Sequence, residues 1–159
     1  MKASGKNISS SKKLEKDNVS EQTRDIASDL SRLGSFDEIL EYLITYVTQT
    51  LEAERGSLFL HDPAAHQLYT RVALGNLSRE IRIDEQSGVA GWVFMNAEAT
   101  IVNNPYKDER FNKEVDERTG YQTKSLICVP IFSTGDIPIG VLQVLNKQTG
   151  RFTKADLAK

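Results

Sequence analysis

Two stretches of this chain hold residues whose types and spacing could do chemistry. Gly88-Val89-Ala90-Gly91 puts four small residues where the pattern predicts a helix to open. The first N–H groups of a helix have no intrahelical partner and lie at the positive end of its dipole. Small residues there let the backbone approach an anion closely, with no arginine clamp required. Downstream, Asn104 to Tyr121 is polar and charged, with Phe111 and Val115 as apolar anchors spaced i, i+4. Threonine hydroxyls in and after this segment can donate to a bound oxygen. Taken alone, the glycine-flanked tetrapeptide fits a tight helix start packed on a sheet at least as well. Beside the polar segment, the binding reading leads.

The chemistry is that of holding a ligand, not transforming it. No plausible Ser-His-Asp or Cys-His arrangement is present, and the many carboxylates form no defensible acid/base pair. Cys128 lies in the apolar run Leu126-Ile127-Cys128-Val129 and reads as a buried structural cysteine, with a redox sensor as the lesser alternative. His61 and His66 flank the Asp62-Pro63 turn and read as surface loop residues, not metal ligands. Trp92 reads as a core residue.

Composition narrows the class further. The 159 residues suffice for one domain with a helical extension, and 39% apolar with 26% charged residues is ordinary for a soluble globular protein. The net charge of −2 gives no basic excess for a nucleic-acid partner. No apolar run approaches the roughly 20 residues that span a bilayer. A single cysteine builds neither a disulfide framework nor a thiolate metal site, so a cytoplasmic location is expected, with no metal and no cofactor.

The elements that must position these residues follow from hydrophobic period. Residues 1–17 read as a flexible arm. Residues 18–34 read as a helix with a thin apolar stripe of Ile26, Leu30 and Leu33, suited to pairing with another helix. Ser35 and Glu38 form a capping box ahead of a helix with Phe36, Ile39, Leu40, Leu43, Ile44 and Val47 on one face, ending near Thr50. The period then becomes strand-like. Strands are predicted at Gly56–Leu60, Gln67–Leu74, Ile81–Ile83, Ala99–Asn103, Ser125–Ile131 and Ile139–Leu145, with a short helix from Gly88 to Met95. A last helix opens at Phe152-Thr153, with Thr153 as N-cap, and is expected to be truncated, the chain being a fragment of a longer protein. The fold class is α+β, an antiparallel sheet sandwiched by helices.

At this point the residues resemble a known family. Glu54 to Asp156 is similar to GAF domains of the cyclic-nucleotide-binding kind, found in cyclic-nucleotide phosphodiesterases and cyanobacterial adenylyl cyclases. The strongest match is Arg110-Phe111-Asn112, Val115-Asp116 and Thr119-Gly120-Tyr121, followed by Lys124 to Ile131; generic GAF domains lack this pattern. A second signature, Asn146-Lys147 with Phe152 and Asp156, matches except that Leu157 stands where the family has Glu and the Asn-Lys to Phe spacer is short. In the family this motif supports the pocket from outside.

The resemblance implies a domain over residues 35–159 that binds a cyclic nucleotide and is not itself an enzyme. Arg55 and Ser57 correspond to positions that contact the base or line its slot, Ala73 and Leu74 to positions flanking the base, and Val89 and Ala90 to amides that meet the cyclic phosphate. Phe111, Asn112, Asp116, Thr119 and Thr123 correspond to the lid, and Gln143 to a strand position facing ribose or base. Arg55 fits a surface strand start equally well, and Asp116 and Thr119 fit capped loop residues. Leu74 cannot accept guanine's donors, whereas similar domains that prefer cGMP can carry Asp there, so cAMP is expected over cGMP. The output is expected to be an adenylyl or diguanylate cyclase, with signalling through a homodimer paired by the first and last helices. The rival expectation is a GAF module that only dimerises and relays signals; a small-molecule enzyme fits worst.

Overall fold

The computed structural model describes residues 23–26, 28–74 and 80–159. The expected arm at 1–17 lies outside these residues. Of the expected 18–34 helix, positions 23–26 and 28–30 are helical. Contacts divide the chain into two units, Met1–Ile39 and Leu40–Lys159.

In the first unit the capping box forms as expected. The Ser35 hydroxyl accepts from the Glu38 amide at 3.2 Å, and the Glu38 carboxylate accepts from the amides of Gly34 and Ser35 at 2.8 and 2.9 Å. Helix α1 (Phe36–Thr50) follows directly.

The second unit is built on a sheet of β1 (Ala53–Asp62), β2 (Gln67–Ala73), β3 (Arg82–Asp84), β4 (Thr100–Val102), β5 (Leu126–Phe132) and β6 (Pro138–Lys147). The spatial order is β3-β2-β1-β6-β5-β4, with every neighbouring pair antiparallel. Helix α2 (Gly88–Asn96) and helix α3 (Lys113–Thr119) interrupt the strands. This is the α+β sheet-and-helix architecture expected from the period changes.

Side-chain alternation gives the two sheet faces different partners. On one face Phe59, Leu126, Cys128 and Val141 pack with Val89, Ala90, Val93 and Phe94 of α2. That helix is apolar on all sides, as a helix enclosed in a core must be. On the other face Ile127 and Val144 pack with Leu51, Ala53 and Phe152. Here α1 lies close on β1: a Cβ at Gly56 would strike Thr48 and come within 2.9 Å of Ile44.

The central strands run longer than their apolar cores suggest. β1 extends from Gly56–Leu60 out to Ala53 and Asp62 because each end keeps one neighbour, β6 at the start, with Ala53 opposite Lys147, and β2 at the finish, with Asp62 opposite Gln67. The ladder carries Glu54, Arg55, His61 and Asp62, whose side chains give no strand signal. The final segment differs from expectation in form: Asp156–Ala158 is a single 3-10 turn, with the Asp156 carboxylate accepting from the Thr153 amide at 2.8 Å and hydroxyl at 3.1 Å.

Candidate functional site

A cavity opens between the α2 face of the sheet, the start of α2 and the segment from 105 to 123. Its floor is set by strand register. Arg55 stands opposite Leu145 and Ser57 opposite Gln143, and all four line the cavity with Phe59. Its end wall is Ser87 to Ala90. Gly88 has φ +71°, a left-handed conformation that glycine adopts without strain. No side chain caps the first turn of α2, so the helix presents its opening amides and the positive end of its dipole to the cavity. Gly91 is required by contact: a Cβ there would lie 2.6 Å from the Gln86 carbonyl carbon and 2.9 Å from the Glu85 oxygen.

The roof is α3 and its flanks, held by polar ties at several points. Asn112 caps α3 through the Glu114 amide at 2.9 Å, and its Nδ2 donates to the Ser87 hydroxyl at 3.1 Å, joining roof to end wall. Asp116 is buried. Its carboxylate accepts from the Tyr106 hydroxyl at 2.9 Å and from the amide and hydroxyl of Thr123, both at 2.7 Å. The Asp116 bond is the main cause that pushes the Tyr106 phenol up. The Thr119 hydroxyl donates to the Val115 carbonyl at 2.8 Å. Arg110, bidentate to Asp108 at 2.8 and 2.9 Å, lies over the half-buried Trp92 ring of α2 at 4.6 Å.

At the rim, the Arg55 guanidinium sits 3.8 Å from the centroid of the Tyr121 ring. The Tyr121 hydroxyl donates to Glu54 at 2.8 Å, and Asn146 Nδ2 donates to the same Glu54 oxygen at 3.0 Å. Burial first, then the Glu54 bond, push the Tyr121 phenol up, so it stays a neutral donor. The bonds from Asn146 and Tyr121 hold the Glu54 carboxyl below its ordinary range.

The second signature braces this from below. Asn146, at φ +56°, accepts from the Lys124 amide at 2.6 Å and donates to the Gln122 carbonyl at 2.9 Å. Lys147 donates to the Leu51 carbonyl at 2.9 Å and pairs with Asp156 at 3.4 Å beside the buried Phe152 ring. Lys159 also pairs with Asp156, at 3.2 Å.

Of the residues singled out from sequence, Arg55, Ser57, Val89, Ala90, Phe111, Asn112, Asp116, Thr119, Thr123 and Gln143 come together around the cavity. Ala73 and Leu74 are not among its lining residues. Ala73 pairs with Ser57 in the ladder, and the Leu74 amide donates to the Gly56 carbonyl at 2.8 Å. Sequence reasoning passed over Ile81, Ile83, Ser87, Val115, Tyr121 and Leu145, which also line it. The alternation of Ile81 and Ile83 and the place of Tyr121 inside the lid pattern were the available signals. His61 and His66 lie away from the cavity, sharing the Glu85 carboxylate at 2.6 and 3.1 Å. Cys128 is fully buried, and burial pushes its thiol up. Among the described residues no cluster of His, Cys, Asp and Glu could hold a metal ion. Among them, too, no helix is long and apolar enough to cross a membrane.

The six-stranded antiparallel sheet, the buried helix opening on a cavity and the helix-bearing segment over it define a class of α+β domain built around a pocket. The chain belongs to the GAF domain family, whose profile matches residues 35–158. It is 39% identical over 134 residues to the probable 3',5'-cyclic phosphodiesterase pde-5 of Caenorhabditis elegans, covering 77% of this chain and 18% of that protein. It is 34% identical over 160 residues to the dual 3',5'-cyclic-AMP and -GMP phosphodiesterase 11 of Drosophila melanogaster, covering 89% of this chain and 11% of that one. The chain therefore spans less than a fifth of either relative. Among solved structures, the GAF domain of a phosphoenolpyruvate-protein phosphotransferase from Coxiella burnetii superposes with a TM-score of 0.75. It is 17% identical, over 85% of this chain and 81% of that one, a likeness of fold.

Proposed function

We propose that this chain is a regulatory module that takes a cyclic nucleotide, cAMP in preference to cGMP, into the cavity beneath α3. The observation that carries the reading is the uncapped first turn of α2 at Ser87–Ala90, facing a slot of apolar side chains with a few polar groups. The amides suit a cyclic phosphate, and Phe59, Ile83, Val115 and Leu145 suit the flat faces of a base. The names of the phosphodiesterase relatives support the same ligand class.

The preference for cAMP rests on a different residue from the one the sequence suggested. Leu74 is not among the cavity's lining residues. Among the described residues Asp116 is the one carboxylate in the lining, and its oxygens already serve Tyr106 and Thr123. Guanine's N1–H and amino group would compete for Gln143 as their remaining strong side-chain acceptor, and a buried donor left unmatched costs about 1–3 kcal/mol. Adenine has less to satisfy.

The module acts on a catalytic unit rather than performing chemistry itself. The phosphodiesterase relatives favour a phosphodiesterase output over the cyclase expected from sequence. Signalling through a homodimer of the terminal helices and a cytoplasmic setting complete the proposal. Titration calorimetry of the purified chain tests it: saturable heat with cAMP, weaker with cGMP, is expected. No heat from either at near-millimolar concentration would leave the relay-module reading in its place.

A further inference from the structure

We infer that Tyr121 is a displaceable plug, occupying the Arg55 guanidinium that a nucleobase takes over on binding. The inference rests on the nucleotide reading above and adds a residue that sets the threshold for entry.

Arg55 and Tyr121 both line the cavity, and the guanidinium carbon lies over the ring, 3.8 Å from its centroid, in van der Waals contact. No third flat group fits between them. A guanidinium stacks on an aromatic face through the ring's quadrupole, and a purine offers the same kind of face. The Tyr121 ring and a base therefore compete for Arg55. With the stack closed the cavity measures about 80 Å³, against the roughly 300 Å³ or more that ligand pockets occupy. A nucleotide therefore requires the cavity to widen.

The local chain sets the plug at the end of α3. Tyr121 follows Gly120, which ends α3 at φ +69° with its amide donating to the Asp116 carbonyl at 2.8 Å. A Cβ on Gly120 would meet nothing within 4 Å. The left-handed conformation, not packing, is what calls for glycine beside the plug. The plug is also tethered. The Tyr121 hydroxyl reaches Glu54, which is held by Asn146 in the brace beneath the site. Displacing Tyr121 from Arg55 thus removes one of the two donors on that Glu54 oxygen.

The test compares wild type, Tyr121→Ala and Tyr121→Phe by calorimetric titration with cAMP and cGMP, with circular dichroism to show that each variant is folded. Removing a competing closed state raises apparent affinity by the inverse of the open fraction. Tyr121→Ala is expected to bind roughly three- to tenfold more tightly than wild type, the range of an exposed to partly buried cation–π contact. Tyr121→Phe keeps the stack, loses the tether and is expected to gain no more than about twofold. The Arg55 side-chain NεH resonance, shifted by the Tyr121 ring current in wild type, is expected to move when nucleotide is added. If wild type binds and Tyr121→Ala binds equally or more weakly, the plug is overturned and the nucleotide reading stands. If neither wild type nor Tyr121→Ala takes up nucleotide at near-millimolar concentration, both fall together. Should Tyr121→Ala fail to fold, Tyr121→Phe and the Arg55 resonance decide: an NεH signal unmoved by saturating nucleotide overturns the plug.

Discussion

Asp116 and Thr123 are joined twice, the carboxylate accepting from both the amide and the hydroxyl of Thr123 at 2.7 Å, while the Tyr106 hydroxyl takes a third bond to the same group. The carboxylate thereby fastens helix α3 to the segment leading into β5 and to the turn at Pro105–Lys107. A group satisfied in this way is first a latch of the lid. Replacing it with alanine leaves the amide of Thr123 unmatched in a buried site, a cost of about 1–3 kcal/mol, while the hydroxyl can rotate and loses less. Asp116→Ala is expected to lose about 2–3 kcal/mol of stability, read as a Tm lower by roughly 5–10 °C in calorimetry without nucleotide. Asp116→Asn keeps one acceptor oxygen and is expected to lose about half as much. An unchanged Tm together with weakened nucleotide binding would make Asp116 a ligand contact instead.

The start of α2 gives a second prediction. Gly91 faces the backbone of Glu85 and Gln86, where a methyl group would sit 2.6 Å from a carbonyl carbon. Main-chain atoms cannot rotate aside as a side chain can, so Gly91→Ala must shift either α2 or the segment entering it. The expected cost is about 1–3 kcal/mol. Because that shift moves the amides of Gly88–Ala90, affinity for a cyclic nucleotide is expected to fall about tenfold, the equivalent of one lost hydrogen bond. Thermal melts and calorimetric titration measure the two effects separately. A variant as stable as wild type with unchanged affinity would show that the contact at Gly91 does not set the position of the end wall.

The fold was legible where side-chain period and burial coincide. The apolar runs of β5 and β6 and the amphipathic pattern of α1 appear where the spacing puts them, because burial selected those residues. The ends of β1 were not legible: Glu54 and Arg55 are held by main-chain pairing with β6 alone and His61 and Asp62 with β2 alone, which their side chains do not advertise. The same distinction runs through the site. Arg55, Ser57 and Gln143 were legible through the family pattern, and strand register brings them together. Leu74, named through the same pattern, is not among the lining residues; its amide is tied to the Gly56 carbonyl, one residue from Ser57. Tyr121 was quoted as part of a motif, yet its stack on Arg55 is a contact between residues 66 positions apart in sequence, which periodicity cannot report.

The brace under the site predicts an acid-sensitive step in stability. Burial alone would raise the Asp156 carboxyl. The Thr153 amide, the Lys159 ammonium and the Thr153 hydroxyl outweigh it, with Lys147 adding to them, and hold the group at about 2 against an ordinary 3.8. A carboxyl depressed in the folded state binds protons more weakly there than in the unfolded chain. Its stabilising contribution is therefore complete above about pH 4 and disappears as pH falls from about 4 to about 2. The size of that contribution is on the order of 1–2 kcal/mol. Asp156→Asn is expected to lower Tm at pH 7 by roughly 3–6 °C and to flatten the fall in Tm between pH 4 and pH 2 relative to wild type. Because Asp156 holds Lys147, which ties β6 to the Leu51 carbonyl, the loss belongs to the whole sheet. Differential scanning calorimetry across that pH range checks it. Parallel Tm curves for the two proteins would mean that Lys147 and the Leu51 carbonyl hold this corner without the carboxylate.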